Sequence, residues 1–308
     1  MRHWLALVLF VLPASAFAQA AMPADYQAVL TTLGKQGDFK ENVLRVNIPR
    51  NDLHVVIDGV ATPTPFGFGG WLALTKGSGG MDVMMGDLVL TEDEVNPIMS
   101  ALLTNGLDVT ALHNHFFFDT PRIYYMHVHG HGTAADLAAK VKPALGLIGI
   151  NSTADRRGGP SGPIANGREI TGPLDSAALA RIVGYQGELN GAVYKITIGR
   201  PDISLKDKDA AITSRMGLNT WAAFYGNNSD AVIAGDVAML DYEVTPVLRA
   251  LRANGIDVVA IHHHMTGTDP PVFFLHYWGK GTAQKLATAF RAALDRTGAR
   301  PKATAAQR

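Results

Sequence analysis

Short apolar runs recur along the chain and predict two sets of β-strands. Runs of this length, rich in β-branched and aromatic side chains and bounded by turn residues, are typical of strands. The first set comprises VLRVNI (43–48), WLALT (71–75) and two runs around a turn (107–117 and 123–130). The second set comprises AVYKITI (192–198), WAAFY (221–225) and two runs around a turn (256–265 and 272–279).

Helices are predicted around each set of strands. They are predicted at Ala24 to Leu33, from near Thr91 to Asn105, from Thr133 to before Gly146, at Asp175 to Val183, and from Thr282 to before Gly298. Glu94 stands three residues after Thr91, as in a capping box, and Gly34 and Gly184 are placed to end the short helices. The last helix of each set is amphipathic, which indicates one buried face.

The second set repeats the first. Asn105-Gly106-Leu107-Asp108-Val109 returns as Asn254-Gly255-Ile256-Asp257-Val258 at an offset of 149 residues, and Trp71 returns as Trp221 at an offset of 150. Self-similarity at one period indicates that a single unit is used twice. The predicted fold class is therefore α+β: two tandem repeats, each a mainly antiparallel sheet with flanking helices and a histidine-bearing β-hairpin.

The chain divides into five predicted segments. They are a signal peptide (1–20), a first repeat (21–150), a Gly/Pro-rich linker (151–170), a second repeat (171–300) and a disordered tail (301–308). The first segment has a short basic start, an apolar run too short to span a bilayer, and small residues near Ala18, which together favour a cleaved secretory signal. The predicted location is periplasmic or secreted.

Composition restricts the partners and the metal ligands. Lys+Arg and Asp+Glu both number 27, so no strong field favours nucleic acid or anionic membranes, and a small-molecule or metal ligand is expected. Protein partners stay open. The chain has no cysteine, which excludes disulfides and predicts no membrane anchor through a lipidated cysteine. Any metal must be held by His, Asp or Glu.

Nine of the 11 histidines lie in two short stretches. ALHNHFFFDTPRIYYMHVHGHGT (111–133) contains five, and AIHHHMTGTDPPVFFLHYWGKGT (260–282) contains four. Residues i and i+2 of a strand face the same side, and neighbouring strands lie about 4.7–4.9 Å apart, so these imidazoles can converge on one point. The stretches therefore predict a metal site built on the hairpin.

The second repeat retains three of the first repeat's histidines. His262, His264 and His276 match His113, His115 and His127, whereas positions 129 and 131 change to Trp278 and Lys280. A three-histidine set is typical of open or catalytic metal sites, and one such set is expected in each half. The predicted metal ligands are His113, His115, His127, His129, His131, His262, His264 and His276. The alternative is that these are packed, structural histidines beside aromatic side chains.

Two acids retained in both repeats are candidates for a carboxylate at the site. Asp87 and Asp236 could act as a fourth ligand or a general base, and turn formation is the alternative. Glu94 and Glu243 are better explained as helix caps. The predicted cofactor is a divalent transition metal, with zinc first and copper, nickel, manganese or iron as alternatives. Its affinity is expected to fall below about pH 6, because protonated imidazole does not ligate.

Longer strings carry a family resemblance. GDLVLTEDEVNPIMSALLTNGLDVTALHNHFFFDTPRIYYMHVHGHG and its echo GDVAMLDYEVTPVLRALRANGIDVVAIHHHMTGTDPPVFFLHYWGKG resemble the LppY/LpqO-like family of exported bacterial proteins. The resemblance covers nearly all of the chain after the predicted signal peptide. It implies a unit carried twice, export, and a domain of unknown function. The second repeat departs from the family's HNH motif by reading HHH.

Three functions follow from these patterns. The first is an exported protein that binds a transition metal through the hairpin histidines. The second is a metal-dependent hydrolase or oxidoreductase that uses the same histidines with an open coordination position. The third is a non-catalytic module that binds a ligand or partner between the repeats and has structural histidines. Whether the protein is an enzyme is left open by the sequence.

Overall fold

The structure, a computed structural model, describes residues 21–150 and 167–298. The predicted signal peptide, the predicted tail and most of the predicted linker lie outside the described residues. Residues 167–170, at the end of the predicted linker, pack on the first repeat. Arg168 bridges to Val60, and Ile170 is buried between the repeats.

The first repeat contains one six-stranded sheet and a small three-stranded sheet. Its elements are α1 (Ala24–Leu33), β1 (Gly37–Lys40), β2 (Val43–Pro49), β3 (Val55–Ile57), β4 (Val60–Thr62), β5 (Gly69–Lys76), β6 (Asp82–Thr91), α2 (Glu92–Thr104), β7 (Asp108–His113), β8 (Asp119–Thr120), β9 (Ile123–Gly132) and α3 (Ala134–Leu145). The six-stranded sheet has the order β1-β2-β5-β6-β9-β7, and all its neighbours are antiparallel. Strands β4-β3-β8 form the small sheet.

The second repeat has the same plan. Its elements are α4 (Ser176–Val183), β10 (Glu188–Asn190), β11 (Val193–Gly199), β12 (Lys206–Asp207), β13 (Ala210–Ala211), β14 (Asn219–Gly226), β15 (Ala231–Leu240), α5 (Asp241–Ala253), β16 (Asp257–His262), β17 (Val272–Gly281) and α6 (Ala283–Leu294). Its antiparallel sheet has the equivalent order β10-β11-β14-β15-β17-β16. The predicted α+β class with two tandem units is confirmed.

Two predicted strands end earlier than expected. The run 107–117 is a strand only as far as His113, and the run 256–265 only as far as His262. In the first repeat the side-chain amide of Asn114 donates to the carbonyl of Ile123 at 2.7 Å. This side-chain bond replaces the backbone ladder at that point, because it occupies the acceptor on β9. His115 therefore follows the strand rather than belonging to it.

A buried ion pair joins sheet to helix in each repeat. Arg50 Nη1 donates to Glu94 Oε2 at 2.6 Å and to the carbonyl of Val89, and both side chains of the pair are almost fully buried. Arg200 and Glu243 repeat the pair at 2.9 Å. Glu94 also accepts from the backbone N–H of Thr91 at 2.8 Å, which confirms the predicted capping box.

The two faces of each sheet have different neighbours. On β9, Met126 and Val128 pack in a core with α1, α2 and α3, whereas Tyr125, on the opposite face, packs with residues of the second repeat. The second repeat is arranged in the same way. The molecule therefore has four layers, with helices outside and two sheets packed face to face inside.

A hairpin from each repeat reaches across to the other. Ile57 and Val60 of β3–β4 pack in one core with Trp278 of the second repeat. Leu205 and Ala210, around β12–β13, pack in another core with Met85 and further residues of the first repeat. These two cores lie on either side of the histidines and hold the sheets together there. Among the described residues, no helix has the length and apolar character needed to cross a membrane.

Candidate metal centre

Six histidines from the two repeats meet in one cluster between the sheets. They are called the interface histidines here: His113, His115, His127, His262, His264 and His276. Their rings form three pairs across the repeats, and the centroid separations are 3.7 Å for His113–His262, 3.5 Å for His115–His276 and 4.2 Å for His127–His264. The three-histidine sets expected in the two halves therefore lie in one cluster, and the expectation of one site in each half stays a prediction. The helices cover the outer face of each sheet, so the histidine-bearing inner faces are the ones that meet.

Pleating and register aim these side chains into the interface. His127 of β9 is paired with Asp87 of β6, and His276 of β17 with Asp236 of β15. Directly opposed residues of antiparallel strands project to the same face of the sheet. Each repeat therefore delivers a histidine and a carboxylate side by side from two central, rigid strands.

Most of the ring nitrogens in the cluster have no hydrogen-bond partner. Five of the six interface histidines are buried, and His113 is partly exposed. Nine of their 12 ring nitrogens are buried without a partner; these are both nitrogens of His113, His115 and His262, Nε2 of His127, Nδ1 of His264 and Nε2 of His276. Buried polar atoms are nearly always satisfied, so this concentration calls for a ligand.

Burial keeps the interface histidines neutral. Desolvation lowers the pKa of every one of them, and repulsion between the neighbouring rings lowers most of them further. The pKa of His264 falls to about 3. Neutral imidazole is the form that binds metals, because its lone pair is free. The cluster is therefore in the ligating state at neutral pH.

Two of the rings are oriented by glycine backbone groups. His276 Nδ1 lies 3.1 Å from the carbonyl oxygen of Gly235, and its Nε2 is left unpartnered. In the first repeat, His127 bonds the backbone of Gly86 and likewise leaves its Nε2 unpartnered. Metal-ligating histidines commonly donate their second ring N–H to a backbone carbonyl, which fixes the tautomer. The duplicated geometry presents one free nitrogen from each ring.

Three sets of potential ligand atoms lie within 4.8 Å of one another in this cluster. The sets are His113 with His127 and His262, His113 with His115 and His276, and Asp236 with His262 and His276. Modest side-chain rotations would bring such atoms to the 2.0–2.1 Å that zinc requires. Two of the three sets combine histidines of both repeats. The third set consists of two histidines and a carboxylate of the second repeat.

The two candidate acids lie beside the histidines, in the middle of strands. Turn formation is therefore wrong as their role. Asp236 Oδ2 is 3.4 Å from His264 Nε2, and burial raises the pKa of this carboxyl, although His276 opposes the shift. Asp87 has a buried Oδ1 with no partner. Burial and the neighbouring Asp236 raise its pKa well above the usual range. Asp236 is placed to ligate or to act as a base, and Asp87 belongs to the same environment.

His129 and His131 lie apart from the interface histidines. Their Nε2 atoms hydrogen-bond Asp207 of β12 at 2.7 and 2.9 Å, so they bind the second repeat's hairpin to β9. Asp207 is not among the site residues that were predicted from the sequence. Lys280, which replaces His131 in the second repeat, pairs with Asp58 of the other hairpin at 2.9 Å. Both contacts join a hairpin of one repeat to the sheet of the other. Only the contact of His129 and His131 with Asp207 consists of side chains that could hold a metal ion.

The contact through Asp207 is expected to stabilise the packing of the repeats. Burial alone would raise the pKa of Asp207, but hydrogen bonds from His129 and His131 outweigh it, and the pKa is lowered. The stabilisation is thus present above the usual carboxylate pKa and lost as pH falls through the lowered value. Asp207→Ala is expected to lower the free energy of unfolding by about 1–2 kcal/mol at pH 7.

Urea unfolding of the variant beside Asp257→Ala measures this effect. Asp257 pairs with Arg252 on an exposed edge strand, where an ion pair contributes little. Equal losses in the two variants would show that the contact to β9 has no special weight.

A cavity of about 440 Å³ opens beside the cluster. His115, His264, His276, Asp87 and Asp236 line it, together with a group of residues that the sequence did not single out as functional. Those are Arg45, Lys195, Trp71, Trp221 and Arg215. Arg45 and Lys195 occupy equivalent positions 150 residues apart, as Trp71 and Trp221 do, so matching cations in the two repeats could have pointed to them.

A family model matches both repeats. The family described as "Domain of Unknown Function (DUF1259)" matches residues 27–147 and again residues 177–296, which together make up more than half of the chain. The chain belongs to the DUF1259 family. Each match spans one sheet with its helices, so a DUF1259 unit corresponds to one half of the histidine cluster. The family description names no activity, and the resemblance to the LppY/LpqO-like proteins stays a prediction.

Other comparisons add no functional information. No curated protein matches the chain. Among solved structures, a trimeric bacterial microcompartment shell protein, PduB, is similar at 12% identity and a TM-score of 0.21, covering 84% of this chain and 89% of that chain. EtuB from Clostridium kluyveri is similar at 9% identity and a TM-score of 0.20, covering 85% and 90%. Neither likeness carries an argument about this DUF1259 protein.

Proposed function

We propose that the interface histidines bind a divalent transition metal and that this binding is the function of the protein. The observation that carries the proposal is the set of nine buried ring nitrogens without hydrogen-bond partners. Leaving a buried acceptor or donor unsatisfied costs on the order of 1–3 kcal/mol each, and a bound metal would offset several of these costs at once. Purely structural histidines would instead be expected to hydrogen-bond one another.

The donor set favours zinc. Imidazole nitrogen suits zinc, copper, iron and nickel, whereas calcium and magnesium prefer oxygen ligands. Zinc imposes no geometry of its own beyond a preference for four ligands, and it is bound by three histidines in several catalytic sites. Copper, nickel, manganese and iron are the alternatives that direct metal analysis separates.

We also propose that the protein is located outside the cytoplasm. The leader-like first 20 residues and the resemblance to the exported LppY/LpqO-like proteins support a periplasmic or secreted location. Exposure of the mature chain to periplasmic metal would follow. Cell fractionation with an antibody against the mature protein tests the location independently of the metal.

A metal-dependent enzyme, hydrolytic or oxidative, is the second candidate. The cavity that opens on His115, His264 and His276 favours it, because catalysis needs a metal that a substrate can reach. Asp236, whose Oδ2 is 3.4 Å from His264 Nε2, is placed to serve as the general base of such an enzyme. A closed set of ligands used only for metal storage would have no need for this opening.

Zinc binding by chelator-stripped protein tests the proposal. The variant His113→Ala/His262→Ala removes the central pair, and every candidate ligand set in the cluster contains one of these two residues. We expect the stripped wild type to take up about one zinc or more per chain, and the double variant to bind zinc at least about 100-fold more weakly. Plasma mass spectrometry and competition with a chromogenic chelator give content and affinity.

Two control variants sharpen this test. His263→Ala alters the histidine between His262 and His264, which packs on Phe273, on the other face, and should bind zinc like the wild type. His129→Ala/His131→Ala should also retain the interface metal. Zinc content that is equal in all four proteins, or zinc lost only with His129 and His131, would overturn the assignment to the interface histidines.

A further inference from the structure

The walls of the 440 Å³ cavity are built from equivalent residues of the two repeats. Arg45 of β2 faces the ring of Trp71, with Cζ 3.8 Å from its centroid. Lys195 of β11 faces the ring of Trp221, with Nζ 4.2 Å from its centroid. The duplication thus places one cation on one indole at each side of the opening, with Asn47 and Thr197 at the exposed rim.

These two cations lack a carboxylate partner at close range. Within residues 21–150 and 167–298, no ion pair within 4.0 Å includes Arg45 or Lys195. Arg45 Nη1 donates to the backbone carbonyl of Arg215 at 2.8 Å. Partly buried charges are usually paired, because desolvation is costly. The missing counter-charge points to an anion from solution.

A third cation completes the group. Arg215 Nη2 donates to Asp38 at 2.6 Å, but its Nε is buried without a partner. Repulsion from Arg215, added to the larger effect of burial, lowers the pKa of Arg45 to about 10. Burial and then Arg45 lower the pKa of Lys195 to about 8. The cations therefore destabilise one another as they stand, and a bound anion would relieve that repulsion.

The acids at the inner end of the cavity do not pair with these cations. Asp87 and Asp236 line the cavity and act on Lys195 electrostatically, but among the described residues no ion pair within 4.0 Å joins either acid to Arg45 or Lys195. A metal on the interface histidines would add further positive charge at that end. The cavity is thus positive at its walls and lies within the size range of small-molecule sites.

We propose that this cavity binds a small oxyanion, a carboxylate or a phosphate, between Arg45 and Lys195. Guanidinium matches the two oxygens of such a group, and ammonium adds a second charge-assisted hydrogen bond. The indoles of Trp71 and Trp221 provide apolar surface for the rest of the molecule. The inference deepens the proposed metal-binding function, because the anion would be the ligand presented to the metal, but the binding of the anion itself does not need the metal.

Tryptophan fluorescence and calorimetry of metal-free protein test this inference. Trp71 and Trp221 are two of the four tryptophans in the chain, and both line the cavity, so an anion that draws the cations away from the indoles should change the emission. Phosphate and succinate are titrated separately at constant ionic strength, with chloride as the reference anion. We expect saturable binding of at least one oxyanion with a dissociation constant of about 1 mM or below.

Charge-removing variants locate the site. Arg45→Met and Lys195→Met keep an apolar stem on each indole and should each weaken binding about tenfold or more. Lys140→Met removes a partly exposed cation on α3, which pairs with Asp136 outside the cavity, and should leave the affinity unchanged. Circular dichroism and urea unfolding verify folding, and Arg45→Lys, which retains the charge, should keep part of the affinity if Arg45→Met does not fold.

The outcomes separate this inference from the metal-binding proposal. Oxyanion binding without zinc binding would support the inference and reject the metal proposal. Zinc binding without saturable phosphate or succinate binding would reject the inference alone. Equal weakening by Lys140→Met would also reject it, because the effect would then report overall charge. A preference for phosphate or for succinate identifies which oxyanion the cavity fits.

Discussion

Metal-free protein is expected to lose stability steeply as the pH falls below about 6.5. Five interface histidines are buried, and desolvation holds the pKa of each below the ordinary value; they are His115, His127, His262, His264 and His276. In the unfolded chain they titrate near 6.5, so below that pH the unfolded state binds more protons. The stability is therefore present above pH 6.5 and lost on acidification, at about 1 kcal/mol per pH unit for each histidine.

The two buried acids oppose this trend only in part. Burial raises the pKa of Asp87 and Asp236 in the folded state, so they bind protons there first and add stability as the pH falls through their folded values. Two carboxyls offset at most two of the five histidines. A net loss of about 3 kcal/mol per pH unit or more remains near pH 5, and a protein of ordinary stability is expected to unfold at about pH 4–5.

Urea unfolding between pH 8 and pH 5 measures this slope. Replacement of two of the buried rings, as in His262→Phe/His264→Phe, should reduce the slope by between about two-fifths and about two-thirds, depending on how far the carboxyls offset the histidines, whereas His54→Ala, at an exposed position, should not change it. A slope shared by all three proteins would mean that the interface histidines titrate normally and are not buried as described. The prediction concerns the metal-free chain and stands whether or not zinc binds.

Removal of Arg50 is expected to cost about 3–5 kcal/mol of unfolding free energy. Its partner Glu94 is buried, and Arg50→Met would leave that carboxylate without its counter-ion. The carboxylate would keep only backbone donors, the N–H groups of Thr91 and Gly149. Arg200→Met breaks the equivalent pair with Glu243 and should have a similar effect.

A double variant shows whether the cost comes from the stranded charge. Arg50→Met/Glu94→Leu removes both charges and should recover part of the loss, but not all of it, because the cap on Thr91 is lost as well. Arg181→Met, on the exposed face of α4, should change the stability by less than about 0.5 kcal/mol. A double variant that is less stable than Arg50→Met would contradict the stranded-charge explanation.

Local patterns in the chain were enough to predict the repeating unit. The short helices that end at Gly34 and Gly184, the capping box of Thr91 and Glu94, and the Thr133 cap whose side chain accepts from the N–H of Asp136 are all found. Each is an interaction within a few residues of sequence, so the letters alone carry the signal. The early end of β7 was not predicted, because the bond found there joins Asn114 to Ile123 on the next strand of the hairpin.

The site was predicted in its residue types and not in its arrangement. Strand periodicity places His113 and His127 on one face, and their rings are 5.2 Å apart. Periodicity does not say which surface covers that face. His129 and His131 follow the same alternation along β9, yet they bind Asp207, because the crossing hairpin of the second repeat reaches that end of the strand.

The duplicated α+β unit, its caps, and the histidines and acids on one face of its sheet can be predicted from the order of the residues. The packing of the two inner faces cannot, and it is this packing that brings six imidazoles into one cluster and places Arg45 and Lys195 in one cavity. The difference lies in the range of the interactions. Hydrogen bonds and side-chain alternation act between near neighbours, whereas burial of the two sheet faces joins residues about 150 positions apart, and no local pattern records that pairing.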